Sequence, residues 1–278
     1  MPRTGAPTGN AAYRKDLLRG FGGAILFAFP LLMTMEMWRL GFYMEPSRLG
    51  LFLGLNFLVL MGLSWFAGFS ISDGWLDMGR EAITAYGIGI LAAAALLYLL
   101  GVITTSMPLS EVSGKIAVQA IPASLGAIVA RRQLGASSED DGQQRRENRA
   151  GYAGQLFLMT AGALYLCFNV APTEEMVLIA FKMTPLRQML LVGLAILLLH
   201  GFVYTVGFRG QEPVGQAGNG RVFLSYTLAG YAIAVLVSLY VLWTFGRTDG
   251  TSVPQIVAMI TVLGLPAALG AALARLVV

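Results

Sequence analysis

IPASLGAIVAR (Ile121–Arg131) and LPAALGAALAR (Leu265–Arg275) are two versions of one eleven-residue stretch, 144 residues apart. Seven of the eleven positions are identical, and both copies place a proline inside an apolar run that ends in arginine. Further matches occur in the same order along the chain: Gly20–Gly23 with Gly151–Gly154, Pro46–Arg48 with Pro185–Arg187, and Arg80 with Arg221. Matches that keep their order predict an internal duplication.

The composition predicts a membrane protein. The 278 residues are 56% hydrophobic and 12% charged, with a mean hydropathy of +0.68, whereas soluble domains are about 25% charged. A helix needs roughly 20 apolar residues to cross a bilayer, and eight windows approach that length. The predicted spans are residues 20–38, 49–69, 82–105, 112–130, 150–172, 188–208, 222–246 and 252–274.

These spans predict an all-α, polytopic membrane helix bundle. Lys115 interrupts the start of the fourth span, so seven spans are the alternative. Four spans in each unit would let both units enter the membrane from the same side, which makes them parallel repeats. The predicted parts are a cytoplasmic basic N-terminus (1–19), a first repeat (20–130), a cytoplasmic linker (131–149) and a second repeat (150–278).

Charge sets the predicted orientation. With eight spans and an inside N-terminus, 13 of the 19 Lys and Arg residues fall on the inside, so both termini are expected in the cytoplasm. The net charge of +4 then reports topology, and no nucleic-acid partner is expected. The expected partners are the lipid bilayer and an unidentified small solute or ion, and a homo-oligomer remains open.

The repeated prolines indicate a seam between the units. A proline inside a helix frees a carbonyl that lipid cannot satisfy, and small residues four apart let helices approach closely. Pro122 with Gly126, and Pro266 with Gly270, therefore predict that the fourth and eighth spans meet along a transport pathway. Simple helix packing is the alternative.

Five polar residues are candidates for that pathway. Glu36 is the acidic residue well inside a predicted span, and such carboxylates often handle protons or cations. Arg39 lies one helical turn further, so an interfacial ion pair is the alternative. His200, the single histidine, and also Asn56 and Gln119 fall near mid-depth, where each lines a path or hydrogen-bonds neighbouring helices.

The sequence offers little for catalysis, metals or cofactors. Asp73 and Asp77 are four residues apart and could share a Mg²⁺ ion, but the first turn of a helix also favours acids. Met33, Glu36 and Met37 would share one face of a helix, and the methionine thioethers could bind Cu(I) there. Methionine also commonly fills apolar gaps, which is the alternative. No catalytic residue, metal ligand set or cofactor is predicted. Residues 171–184 predict a short helix along the outer surface, in which Thr173 is the N-cap.

The stretches RGFGGAILFAFPLLMTMEMW (Arg19–Trp38) and IPASLGA (Ile121–Ala127) resemble a bacterial family of integral membrane proteins of unknown function. The resemblance implies a multi-pass protein of the bacterial inner membrane and brings no site residues. We expect a transporter or channel for a small solute or ion between the repeats. A non-transporting scaffold or accessory subunit is the chief alternative, and an enzyme is third.

Overall fold

The computed structural model describes residues 9–67, 74–134, 151–206, 220 and 223–277. Over these ranges the chain is helical and contains no strand, which confirms the all-α prediction. The first half consists of α1 (Gly9–Leu32), α2 (Met35–Tyr43), α3 (Pro46–Ala67), α4 (Trp75–Leu99) and α5 (Leu109–Leu134). The second half consists of α6 (Gly151–Val170), α7 (Glu174–Lys182), α8 (Pro185–Val206), a π-helical turn (Phe223–Leu228), α9 (Ala229–Thr244) and α10 (Val253–Val277).

Seven helices of the described chain are long and apolar enough to cross a membrane. They are α3, α4, α5, α6, α8, α9 together with the π turn, and α10. The helices α1 and α2 meet the same criterion only as a pair, across a bend of 90°. The prediction of about eight spans is therefore confirmed, but the uncertain span is the first and not, as expected from Lys115, the fourth.

The first predicted span, however, is not continuous. It was expected to run from residue 20 to residue 38, but α1 ends at Leu32 and the chain turns through 90° into α2. Glu36 and Arg39 therefore lie on the short helix α2, beyond the end of α1. Apolar composition alone does not reveal this break, because the residues on both sides of it are hydrophobic.

The two halves have the same order of helices. A nine-residue helix follows the first long helix in each half, namely α2 and α7. Thr34 precedes α2 and Thr173 precedes α7, and the next helices begin at Pro46 and Pro185. The short helix predicted in residues 171–184 is thus present as α7. Its counterpart in the first half is α2.

The two helices that carry the repeated proline, α5 and α10, pack mainly within their own halves. The main partners of α5 are α1 and α4, and those of α10 are α6 and α9. A Cβ atom on Gly23 of α1 would lie 2.7 Å from the carbonyl oxygen of Gly126, and one on Gly162 of α6 would lie 2.8 Å from the Cβ atom of Ala274. The close approach that small residues permit is therefore used inside each half.

The predicted seam between the fourth and eighth spans is wrong in the described part of the chain, where α5 and α10 are not principal partners. Pro122 is buried within the first half and Pro266 is half-buried in the second. Gly126 and Gly270 face Gly23 and Gly162, so the small surfaces of α5 and α10 are already occupied.

These glycine contacts also change the alignment of the two halves. By its contacts Gly23 corresponds to Gly162, 139 residues later, whereas the sequence match paired it with Gly154. Pro46 and Pro185 are separated by the same 139 residues, so both pairs fit one alignment of the halves. The internal duplication stays a prediction. The predicted linker begins inside α5, which extends to Leu134, and residues 135–149 lie outside the described residues.

The fourth span, which Lys115 made doubtful, is the most buried: 78% of the Leu109–Ala130 window is inside the protein. The ammonium of Lys115 lies 2.6 Å from a carboxylate oxygen of Glu111 and donates a hydrogen bond to the carbonyl of Val102 at 3.3 Å. Since the charge is paired near the start of α5, it does not prevent this helix from forming the centre of the first half.

The junction between the halves is aromatic. The rings of Phe27 on α1 and Tyr165 on α6 meet edge to face, with centroids 5.3 Å apart. The ring of Phe52 on α3 contacts Phe168 at 5.1 Å and Phe245, just after α9, at 5.6 Å, again edge to face. Edge-to-face pairs are favourable beyond the area that they bury, and Phe52, Phe168 and Phe245 are almost fully buried, so these rings form an apolar, uncharged part of the junction.

Candidate functional site

Asn56 lies in a hydrogen-bonded group inside the first half. Its side chain is 5% exposed, and its amide donates to the hydroxyl oxygens of Tyr86 at 2.9 Å and Ser124 at 3.2 Å. The Tyr86 hydroxyl in turn donates to the carbonyl of Leu53 at 2.7 Å. The network joins α3, α4 and α5, so Asn56 bridges helices.

Gln119 supports the break between α1 and α2. The residue is fully buried, and its amide donates a hydrogen bond of 3.1 Å to the carbonyl of Leu31 in the last turn of α1. The Trp38 indole donates to the next carbonyl, that of Leu32, at 2.7 Å, and the Thr34 hydroxyl donates to the backbone near it. Because the last carbonyls of a helix lack intrahelical partners, these side chains stabilise the bend.

His200 belongs to the second half. Its Nδ1 atom lies 2.9 Å from the hydroxyl oxygen of Thr227, which is fully buried on the π turn, and its ring meets Phe223 edge to face at 5.4 Å. The described hydrogen bonds of Asn56 and Gln119 stay in the first half, and this one stays in the second. The structure does not bring the three mid-depth candidates together through these contacts.

Glu36 and Arg39 do not form the expected ion pair in the described chain. Glu36 is half-buried and Arg39 is exposed. Met33 lies in the break before α2, so the helical spacing that would have grouped it with Glu36 and Met37 does not apply. The copper hypothesis loses its geometric basis.

The other metal hypothesis gains no support. Asp73 lies outside the described residues, and Asp77 is 3.4 Å from the guanidinium of Arg80. No group of three or more His, Cys, Asp or Glu side chains that could hold a metal ion occurs in the described ranges. The buried thiol of Cys167 lies 3.8 Å from the hydroxyl of Ser238 and packs between α6 and α9.

A charged cavity of about 290 Å³ lies where the ends of the two halves meet, and we call it the end cavity. The first half contributes the turn between α2 and α3, and the second half contributes the turn after α9. The lining residues are Leu40, Tyr43, Met44, Glu45, Arg48, Thr244, Phe245, Gly246, Arg247 and Asp249. It is a site formed jointly by both halves.

Arg48 joins the two halves at this cavity. Its guanidinium donates two hydrogen bonds to the carboxylate of Asp249, from Nη1 at 2.8 Å and Nη2 at 3.0 Å. Nη1 also donates to the carbonyl of Trp243 at 2.9 Å, and the guanidinium lies 5.0 Å from the centre of the Trp243 ring. Its Nε atom is 3.4 Å from the carboxylate of Glu45. Such paired hydrogen bonds fix the orientation of the guanidinium as well as its charge.

Arg247 holds the same turn to the second half. Its guanidinium lies 3.0 Å from a carboxylate oxygen of Glu174, at the start of α7, and it also donates to the carbonyl of Pro172. The turn after α9 is thus fixed by one arginine from each half. The pairing of Arg48 with Asp249 is the inter-half ion pair.

The inter-half ion pair keeps Asp249 ionised. Hydrogen bonds from the Arg48 guanidinium lower the pKa of the Asp249 carboxyl below its ordinary value, and nearby positive charge acts in the same direction. The carboxylate side chain is 57% exposed, so solvent weakens this attraction.

The end cavity was not predicted from the sequence. Arg48 is part of a repeated Pro-x-Arg match, and nothing in that match indicates a contact with Asp249, 201 residues away. The two copies of the match differ in one respect that the sequence does show. The turn of residues 245–252, which Arg48 contacts, contains Asp249. The equivalent turn in the first half, residues 101–108, offers Arg187 no acidic residue.

The apolar helices define the chain as a multi-pass, all-helical integral membrane protein. It belongs to the family described as "Putative integral membrane protein (DUF2391)", which matches residues 16–278. The match confirms the resemblance noted in the sequence. No curated protein and no solved structure matches the chain.

Proposed function

We propose that this membrane protein passes a small polar solute or ion across the bilayer along the junction of its two halves. The observation that carries the proposal is the end cavity, a charged space lined by residues of both halves. Ligand sites often occur at the boundary between two structural units. In transporters built from repeats, the site lies at the interface of the repeats.

The proposal includes two parallel four-helix repeats in a bacterial inner membrane, with both termini in the cytoplasm. The matching order of the helices and the equivalent contacts of Gly23 and Gly162 favour the duplication. The excess of Lys and Arg on one side favours the orientation. If α1 starts in the cytoplasm and crosses once, the end cavity opens on the opposite side.

Movement between the halves would open and close the pathway. The inter-half ion pair is directional and lies at one end of the junction, whereas the described aromatic contacts of Phe27 and Phe52 are not charged. Breaking the ion pair would therefore free the outer end while the rings slide against each other. The structure then corresponds to a state whose outer end is closed.

A non-transporting scaffold is the second candidate. The observation that favours it is that Asn56, Gln119 and His200 all donate or accept hydrogen bonds within their own half. Asn56 and His200, bonded in this way, need no water-filled path beside them, whereas the Oε1 atom of Gln119 is buried without a hydrogen-bond partner among the described residues. Flux measurements separate the two candidates.

The test uses purified protein in proteoliposomes, screened for flux of protons, monovalent cations, divalent cations, copper and small organic anions. Variants are made in a Cys167→Ala background, which removes the single native cysteine. Phe27→Cys with Tyr165→Cys, whose native rings are 5.3 Å apart across the junction, is linked by a short, reducible bifunctional thiol reagent and joins the halves. Tyr152→Cys with Tyr226→Cys, linked by the same reagent, is the matched control, because these rings are 5.6 Å apart within the second half. None of the four residues lines the end cavity.

We expect flux of at least one probe, its loss when positions 27 and 165 are linked, and its recovery on reduction. Linking positions 152 and 226 should leave the flux unchanged. If no probe crosses the membrane, the scaffold is favoured. If flux continues with positions 27 and 165 linked, the pathway does not require movement between the halves.

A further inference from the structure

We propose that the end cavity binds the carboxylate or phosphate group of a small solute, with Arg48 as its ligand and Asp249 as the group that the solute displaces. This inference rests on the proposed transport function and names its substrate class. It also assigns the opening step, because the solute breaks the inter-half ion pair when it binds.

The guanidinium of Arg48 is already oriented to bind an oxyanion. Asp249 occupies the two parallel N–H donors of its guanidinium, at 2.8 and 3.0 Å, and a carboxylate or phosphate of a solute presents oxygens with the same spacing. The carbonyl and ring of Trp243 hold the guanidinium from other directions. Because the Arg48 side chain is only 16% exposed, it stays in place when Asp249 leaves.

The carboxylate of Asp249 can be displaced from Arg48. Its side chain is 57% exposed, so water can solvate the released carboxylate. The turn that carries it lies between Gly246 and Gly250, whose φ angles are +71° and +66°. Glycine adopts such angles without strain and permits neighbouring conformations. Arg247 keeps the turn attached to Glu174 and to the carbonyl of Pro172, so it is the Asp249 side chain that rotates away from Arg48.

The charge of the cavity changes when Asp249 leaves. The lining has two arginines, Arg48 and Arg247, and two acids, Glu45 and Asp249, so their formal charges cancel. Glu174, just outside the lining, lies 3.0 Å from Arg247 and balances its charge, so an anion would be held by the Arg48 guanidinium itself. The positive end of the α3 dipole, which lies nearby because Arg48 is in the first turn of α3, acts in the same direction.

The size of the cavity limits the solute. A volume of about 290 Å³ is at the lower end of the range of small-molecule sites, which is about 300–1,000 Å³. A small organic acid or phosphate ester fits this limit. The headgroup of an anionic phospholipid has the same oxyanion chemistry, so the experiment must separate a soluble anion from lipid.

The experiment measures binding of inorganic phosphate and of succinate to the full-length protein in nanodiscs, by calorimetry and by tryptophan fluorescence, which Trp243 reports. We expect saturable binding to the wild type. Asp249→Asn should bind the anion roughly tenfold more tightly, since a charge-assisted competitor has been removed. Arg48→Gln should abolish binding. Arg187→Gln, at the matching exposed position of α8, is the control and should bind like the wild type.

Thermal unfolding of each variant checks that it is folded. If Arg48→Gln does not fold, Arg48→Lys replaces it and should bind more weakly, because lysine keeps the charge but lacks the paired donors. An Asp249→Asn variant that binds no more tightly than the wild type overturns the proposal. So does full binding by either Arg48 variant.

Two lipid compositions separate the sources of the anion. Discs of zwitterionic phosphatidylcholine alone and discs containing phosphatidylglycerol should give the same affinity if the ligand is a soluble anion. If phosphatidylglycerol competes with phosphate in the wild type but not in Arg48→Lys, the site takes a lipid headgroup, and the solute assignment is wrong. These binding measurements need no gradient, so lost binding with retained flux refutes this inference alone.

Discussion

The guanidinium of Arg48, in the first turn of α3, forms two hydrogen bonds with the carboxylate of Asp249, 201 residues later, at 2.8 and 3.0 Å. The contact joins the first half of the protein to the turn after α9. Since the described junction elsewhere consists of aromatic rings such as Phe52 against Phe168, this pair supplies a directional contact that solvent conditions can alter.

The first prediction concerns pH. The Arg48 hydrogen bonds lower the folded-state pKa of Asp249, so the ionised carboxylate stabilises the folded protein. This contribution is complete above the ordinary carboxyl pKa of about 3.9 and is lost as the pH falls through the lowered value. We expect the difference in melting temperature between the wild type and Asp249→Asn to be equal at pH 7 and pH 5 and to shrink below about pH 4.

The control for this prediction is Glu175→Gln, which alters an exposed carboxylate on α7. Its effect on the melting temperature should not follow the same pH profile. If the difference between the wild type and Asp249→Asn already closes between pH 7 and pH 5, Asp249 is not the group that Arg48 holds ionised.

The number of helices could be predicted from sequence, because a bilayer-spanning helix requires a long apolar stretch that composition reveals. The short helix α7 was also predicted, from Thr173 and the two acids after it. Its counterpart α2 was missed. Residues 33 and 34 break the first span without a glycine or an internal charge, and the bend depends on Gln119 and Trp38 reaching the carbonyls of Leu31 and Leu32.

The packing of the prolines could not be predicted for a different reason. Small residues on α5 and α10 indicate that a backbone approaches closely, but they do not say which one. Gly126 meets Gly23, and Gly270 meets Gly162, so the partners are the first helices of the same halves. The end cavity was not predicted because Arg48 and Asp249 lie in or beside loops. From the sequence alone, charged residues near the ends of spans indicate only which side of the membrane a loop is on.

The second prediction concerns the close contact of α6 and α10. Gly162→Ala should destabilise the protein by about 1–3 kcal/mol, because the new Cβ atom would lie within 3 Å of atoms of α10 and the helices must move apart. Unfolding by denaturant in detergent micelles measures the loss. Gly193→Ala on α8 is the matched control, since no atom lies within 4 Å of its new Cβ atom. Equal stability of the two variants would contradict the described packing.

The third prediction tests whether Asn56 only bridges helices or also lines the transport pathway. Asn56→Leu should cost only about 1 kcal/mol, because Tyr86 and Ser124 keep their own donations to the carbonyls of Leu53 and Ile121. Flux in proteoliposomes should be retained, since Asn56 lies inside the first half. Asn56→Asp, which buries a charge in the same network, should be much less stable. A stable Asn56→Leu protein without flux would instead place Asn56 on the pathway.

The fourth prediction concerns His200. Its Nδ1 atom and the hydroxyl of buried Thr227 are 2.9 Å apart, and this contact holds α8 to the π turn before α9. A double-mutant cycle of His200→Ala and Thr227→Val should give a coupling energy of about 1 kcal/mol, a typical value for a hydrogen bond between membrane helices. Each variant should retain flux, because the contact lies within the second half.

The same variants test the proton-relay alternative. If His200 carries protons, His200→Ala should abolish proton flux while Thr227→Val leaves it intact, and the coupling in stability need not change. If both variants lose stability by a similar amount and both keep the proton flux, His200 acts by joining α8 to the π turn. Proton uptake by proteoliposomes, followed with a pH-sensitive dye and normalised to the folded protein in each preparation, decides between the two.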